Sequence, residues 1–230
     1  MQFNALVEEY STESMVFFRE LPACFSVAAT SELALQAAPA AITEYLRWLK
    51  INDIVLFENE VRAINVVLAE RLRIADDQPG PRFEADLAAP TDQEIDNALN
   101  VCATARAEII ELYDEVPSTL RDTIQTPESW SLTQHLEHIL KAEFWYVSCL
   151  SEQPETMPPV KMEDISMKLF ENAMDNEIFL RELTPEQRAR VFIRDRAEWT
   201  AAKTLRRMSG HLREHYPWML QLTRQLREQK

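Results

Sequence analysis

Glycine is almost missing from this chain of 230 residues: Gly80 and Gly210 are the only two. Globular proteins use about 7% glycine, much of it where the backbone must turn left-handed or approach a phosphate closely. Its scarcity excludes the glycine-rich cradles of P-loop and dinucleotide-binding proteins, since neither fingerprint can be written in this sequence. Positive charge is scarce as well. Only 24 basic side chains stand against 38 acidic ones, a net charge of −14 that disfavours nucleic acid phosphates, so no nucleic-acid partner is expected. The densest basic cluster, Arg206, Arg207 and Arg213, lies at helical spacing among polar residues and reads as a solvated helix face. Cys24, Cys102 and Cys149 are far apart, lie in apolar runs and form no CxxC pair, which fits a reducing compartment and buried, inert thiols. Long apolar runs are missing too. None approaches the roughly 18 residues of a membrane span, and the amino terminus lacks a positive leader with an apolar core, so the expectation is a cytoplasmic protein without membrane association.

What is present divides into two halves with different periods. Phe3, Ala5 and Val7 alternate with Gln2, Asn4 and Glu8, the mark of a half-buried strand. Met15 to Phe18 and Cys24 to Ala28 give two more strands. Thr30 is placed to cap a helix whose apolar face runs through Leu33, Ala37, Ile42, Tyr45 and Leu49, with Pro39 an expected kink. Val61 to Ala69, rich in branched residues, reads as a returning strand, and Glu8 and Glu9 at a strand end read as solvated. From Arg73 to Asp92 the period is broken by Asp76, Asp77, Pro79, Gly80, Pro81 and Pro90. This is the expected linker, with a boundary near residue 85 that divides the chain into 1–85 and 86–230.

Beyond the linker the pattern is helical throughout. Thr91 and Glu94 form a capping box ahead of a stripe of Ile95, Leu99, Cys102, Ile109 and Val116. Ser131, after Pro127, opens a second helix along Leu132, Leu136, Ile139 and Val147, stopped by Pro154. Met167, Phe170, Met174 and Ile178 mark the buried stripe of a third, which ends before Pro185. A last helix, from about Trp199 nearly to the end, carries Leu205, Met208, Leu212, His215, Met219, Leu222 and Leu226. Four such helices predict an antiparallel bundle.

All four histidines fall on two of these helices, His135 and His138 on one, His211 and His215 on the other. An i, i+4 pair sets both rings on one helical face, and the stripe of Met208, His211, His215, Trp218 and Leu222 points toward the bundle interior. Burying neutral imidazoles without partners costs on the order of 1 to 3 kcal/mol each, and a shared divalent ion supplies the partner. A third imidazole from the facing helix would complete three nitrogen ligands with an open position, the arrangement of catalytic rather than structural zinc. Periodicity leaves open whether His135 or His138 supplies it. Pro217, two residues after His215, is expected to kink the helix beside the ion.

Two resemblances sharpen this reading. The strand-strand-strand-helix-strand order, with Phe17-Phe18-Arg19-Glu20-Leu21-Pro22-Ala23-Cys24-Phe25-Ser26 and the run from Ala34 to Ile42, resembles the HicB-like domain, a partial RNase H fold found in certain antitoxins. Leu21-Pro22-Ala23-Cys24 stands where that family usually has Leu-Pro-Gly-Cys. The resemblance covers about the first seventy residues and implies a binding or packing module, through which a protein partner or a second copy of the chain would dock. It carries no repressor role, because an all-helical region follows. Trp130-Ser131 with His138 and Glu143, then Trp199-Thr200 ahead of Gly210-His211-Leu212-Arg213-Glu214-His215, is similar to the DinB-like family of four-helix bundles. The family pattern implies His138, His211 and His215 as ligands of a divalent ion, zinc or nickel. It leaves His135 a core, rim or outer group. Glu143 and the two tryptophans then read as structural. The implied activity is that of a metal-dependent thiol transferase or hydrolase acting on a small-molecule or thiol substrate. The alternative is a non-enzymatic, metal-stabilised scaffold or sensor.

Overall fold

The computed structural model describes residues 1–75, 80–126, 129–153, 156–160 and 164–228, so Asp76, Asp77, Pro79, Pro127 and Pro154 of the expected breakers lie outside the described residues. In the first half, β1 (Gln2–Glu9), β2 (Ser14–Phe18), β3 (Phe25–Ala28) and β4 (Asn65–Arg73) form one sheet in the order β3-β2-β1-β4. The first three strands are antiparallel neighbours, whereas β4 returns parallel to β1 after the crossover helix α1 (Ser31–Ile51). Thr30 caps α1 as its spacing predicts, and the helix continues through Pro39. Its inner row is Ala34, Ala38, Ile42, Tyr45 and Leu49, packed on Phe3, Ala5, Val7, Val16 and Phe18. Leu33 and Ala37, expected in that row, are exposed, because the first two turns are rotated by one position. Strand β4 starts four residues later than the branched run at Val61. Val61 and Ile64 instead pack as partly buried loop residues against the same core.

Strand β1 is covered on both faces, not one. Leu6 packs with Met15, Phe17 and Phe83 on the side away from α1. Over this second face lies the helix α6 (Ala201–Arg227), and the contact is ionic at its centre. Glu8, expected in solvent, is wholly buried. Its carboxylate accepts from Arg206 at 3.1 Å, from Arg207 at 2.6 Å and from the Tyr10 hydroxyl at 2.7 Å. Arg206 also reaches Asp86 at 2.7 Å, within a short 3-10 helix (Glu84–Leu87) of the linker. The basic cluster is therefore no solvated face. Arg206 and Arg207 stack near Phe17, and the guanidinium of Arg213 lies 4.4 Å from the Trp48 ring centroid.

The second half is built from α2 (Asp92–Asp114), α3 (Leu132–Ser148), α4 (Ile165–Glu182), the single turn α5 (Pro185–Arg188) and α6. Capping boxes open α2 at Thr91 and α3 at Ser131. Helix α2 packs on α6 and α4, and α3 packs on α4 and α6, around one continuous core. Glu143 and Arg106 pair inside it at 2.8 Å, which gives Glu143 the structural role expected.

Two local expectations are overturned. Met167, Phe170, Met174 and Ile178, read as the buried stripe of α4, are each at least half exposed, and the inward positions are Ile165, Leu169, Asn176 and Leu180. The helix is apolar on two sides, and only one meets α2 and α3. Nor is the chain helical throughout, since β5 (Phe192–Arg194) and β6 (Ala197–Trp199) form a hairpin ahead of α6. Its two-residue turn, Asp195 and Arg196, has φ of 47° and 65°, a conformation normally signalled by Asn-Gly or Asp-Gly. Among the described residues no helix is long and apolar enough to cross a membrane.

Removing one partner of a buried ion cluster leaves uncompensated charge. Glu8→Ala should therefore lower the unfolding free energy by about 3 kcal/mol or more, read as a fall in the urea midpoint. Ala23 has φ of 68°, the left-handed region that disfavours a Cβ. Ala23→Gly is expected to raise stability by about 1 kcal/mol in the same titration.

Candidate metal centre

Helices α3 and α6 bring all four histidines into one cluster. On α3 the cap at Ser131, whose hydroxyl accepts the Gln134 N–H, fixes the first turn so that His135 and His138 face α6 one turn apart. On α6 the i, i+4 spacing aligns His211 and His215, with Met208 and Leu212 buried beside them. The helix continues through the exposed Pro217 to Arg227, so the proline does not end it.

The Nε2 atom of His211 is the hub. It lies 2.9 Å from His138 Nε2 and 3.1 Å from His215 Nε2. One ligand nitrogen from each of His138, His211 and His215 falls within 4.8 Å of the others, close enough to hold a single metal ion. These are the three ligands that the DinB-like pattern implies. His135 is brought to the same cluster but in a different relation, with its Nδ1 2.9 Å from the Nδ1 of His215, on the far side of that ring.

The donors suit a cation. Nδ1 of His211 is buried with no hydrogen-bond partner, so this ring bonds only through the nitrogen at the shared point. Three imidazole nitrogens bound to zinc at about 2.0–2.1 Å lie roughly 3.4 Å apart in a tetrahedral set, so His138 and His215 each need to part from His211 by only a few tenths of an ångström. Burial pushes the pKa of His211 down to about 3, with repulsion from His138 adding to it, and that of His135 down to about 4. Burial also lowers those of His138 and His215, the latter further lowered by its histidine neighbours. Near neutral pH every ring is uncharged, which is the form that donates a lone pair to a metal.

The cluster floors a cavity of about 430 Å³ lined by Trp130, His135, His138, Glu214, His215 and Trp218 among others. Trp130, expected in the core, is 43% exposed and sits at the mouth, with its ring centroid 4.8 Å from that of His138. Trp218, expected to point inward, is exposed and meets His215 edge-on at 5.4 Å. Trp199 alone of the expected anchors is buried, against Trp145 and Tyr146. Glu214 was missed as a cavity residue, although its place three after His211 puts it near the same helical face. Burial raises its pKa above the ordinary carboxylate range. The cysteines take no part. All three are free and buried, and burial pushes the Cys102 and Cys149 thiols up to about 12.

No family model, curated protein or solved structure matches the chain. The functional reading therefore rests on the site itself.

The depressed histidine pKa values make the metal-free fold acid-sensitive. An unfolded histidine titrates near pH 6.5, whereas in the fold His135 stays neutral down to about pH 4 and His211 down to about pH 3, so the unfolded chain binds more protons in between. Stability should be full above about pH 6.5 and fall as the pH drops from there toward the folded values. Urea unfolding across that range would show a flat profile if the rings were solvated instead.

Proposed function

We propose that the chain is a divalent-metal-binding protein of DinB-like architecture in which His138, His211 and His215 hold zinc or nickel, with a HicB-like unit docked on the bundle. The observation that carries this reading is the convergence of one ring nitrogen from each of three histidines, on two facing helices, at the floor of an open cavity. The favoured activity is that of a metal-dependent thiol transferase or hydrolase on a small molecule. A divalent ion with an open position supplies Lewis-acid polarisation and lowers the pKa of a water or thiol placed there. Neutral imidazoles leave the charge of such an ion undiminished. The indoles of Trp130 and Trp218 offer apolar surface at the mouth, where a substrate would shed water on entry. Glu214, in the same cavity and with its pKa raised, holds a proton to higher pH than an ordinary carboxyl and is placed to return it.

A scaffold or sensor needs a closed shell, and the open cavity speaks for chemistry over that role. The specific feature on the rival's side is β4, a nine-residue edge strand with Val67 and Leu68 exposed, which offers backbone groups for a protein partner or a second copy of the chain.

Elemental analysis of the purified protein tests the reading directly. Wild type should carry about one equivalent of zinc or nickel, and His138→Ala, His211→Ala and His215→Ala should each lose it. Metal retained in His138→Ala but lost in His135→Ala would make His135 the third ligand in place of His138.

A further inference from the structure

One histidine of the cluster is left over by a three-nitrogen site. His135 is 8% exposed, its neighbour His215 is 3% exposed, and their Nδ1 atoms are 2.9 Å apart. Two imidazole lone pairs repel at that separation unless a cation lies between them, and the nitrogens that converge for an ion are at the other end of the His215 ring. One of the two nitrogens carries a proton, and the contact is a hydrogen bond.

Which one carries it follows from the other end of the His215 ring. Its Nε2 is turned to the shared point, 3.1 Å from His211 Nε2. A neutral imidazole that gives the Nε2 lone pair to a metal must keep its proton on Nδ1. We infer that His135 is a positioning residue of the centre: its Nδ1 accepts the Nδ1–H of His215, fixing the tautomer and rotation that aim His215 Nε2 at the metal. This rests on the three-histidine reading above. The proton of His135 itself then belongs on Nε2.

The surroundings hold the pair in place. The backbone N–H of His135 donates to Ser131 O at 3.1 Å in the first turn of α3, so the ring starts from a capped, fixed position. Trp130 lies 5.3 Å from the His135 ring and stacks at 21° on His215, while Trp218 borders both rings. Both rings are thus bordered by the two indoles. His135 is no fourth ligand in this arrangement, because its Nδ1 abuts the nitrogen of His215 that faces away from the other two. Among the described residues the converging group is His138, His211 and His215.

The acceptor's chemistry also matters. A carboxylate in this place would pass negative charge into the ligand ring, whereas an imidazole orients it and stays neutral. The bound ion would keep more of its Lewis acidity.

The test uses the full chain with cobalt(II) as the optical probe and zinc as the diamagnetic one. His135→Leu removes the acceptor while keeping bulk, and should weaken cobalt binding about 10- to 100-fold and shift its visible absorption bands. In His135→Asn the side-chain oxygen occupies nearly the place of Nδ1, and affinity and spectrum should return to within a few-fold of wild type. Nitrogen-15 spectra of the zinc-loaded wild type should show His215 protonated on Nδ1 and His135 on Nε2. That last measurement stands even if His135→Leu folds poorly. Equal cobalt affinity in folded His135→Leu, zinc bound directly by His135, or the opposite tautomer of His215 would each overturn the positioning role while leaving the metal site intact. Failure of the wild type to bind either ion would instead remove the three-histidine reading itself, and the positioning role with it.

Discussion

A carboxylate sealed from water must be neutralised where it sits, and Glu8 imposes that demand on everything around it. Its partners Arg206 and Arg207 both belong to α6, so the sheet can dock on that helix in only one rotation and at one depth. A turn of α6 by a single residue would leave charge buried without a partner. Gly80 shows how tightly the arrangement closes: a Cβ built there would lie 2.0 Å from the Arg207 guanidinium. One of the two glycines of the chain is thus spent on letting backbone approach an arginine. The linker joins in through Asp86, which takes the second contact of Arg206 and accepts from the Phe83 N–H. Such clusters add little net stability compared with apolar packing of the same volume, but they penalise every wrong register heavily.

That rotation decides the site. Arg207 lies four residues before His211 on the same helix, so the face that meets the sheet and the face that meets α3 are set together. Charge follows geometry here. An unpaired arginine so close would repel any cation brought to the imidazoles, and Arg207 does contribute to lowering the pKa of His211. Glu8 offsets it through its 2.6 Å contact with the Arg207 guanidinium. The result is a centre whose four rings are neutral near pH 7 and whose nearby positive charge is already paired. A divalent ion entering there meets lone pairs, with indoles at the opening.

Much of this was legible in the residues. The alternation in Phe3 to Val7, the caps at Thr30, Thr91 and Ser131, and the three-and-four spacing of the last helix marked their elements to within a few residues, because each is a local preference. The histidines were legible for the same reason: i, i+4 spacing on one helix is a local fact. What a single chain could not show was which second face would be covered. Glu8 and the arginines of α6 look like solvated residues until the sheet and α6 are brought together across nearly two hundred positions. Met167, Phe170, Met174 and Ile178 misled for the converse reason, since α4 is apolar on two sides and periodicity cannot say which one meets its neighbours. The β5–β6 hairpin lacks glycine at its turn, and Asp195-Arg196 carries no local signal for left-handed backbone.

The placement of His135 narrows what the cluster is for. Four imidazoles from two helices could in principle close a tetrahedral shell, and closure is what a purely structural ion requires. Here the fourth ring meets the back of a ligand rather than the shared point. The three converging nitrogens therefore leave one side uncommitted, on the floor of a cavity whose mouth is bordered by two indoles and which holds a carboxyl with a raised pKa. An ion held by these three rings, with the fourth orienting one of them, would keep a vacant position rather than a closed shell. His138, the least buried of the four rings, lies on the exposed side of the cluster.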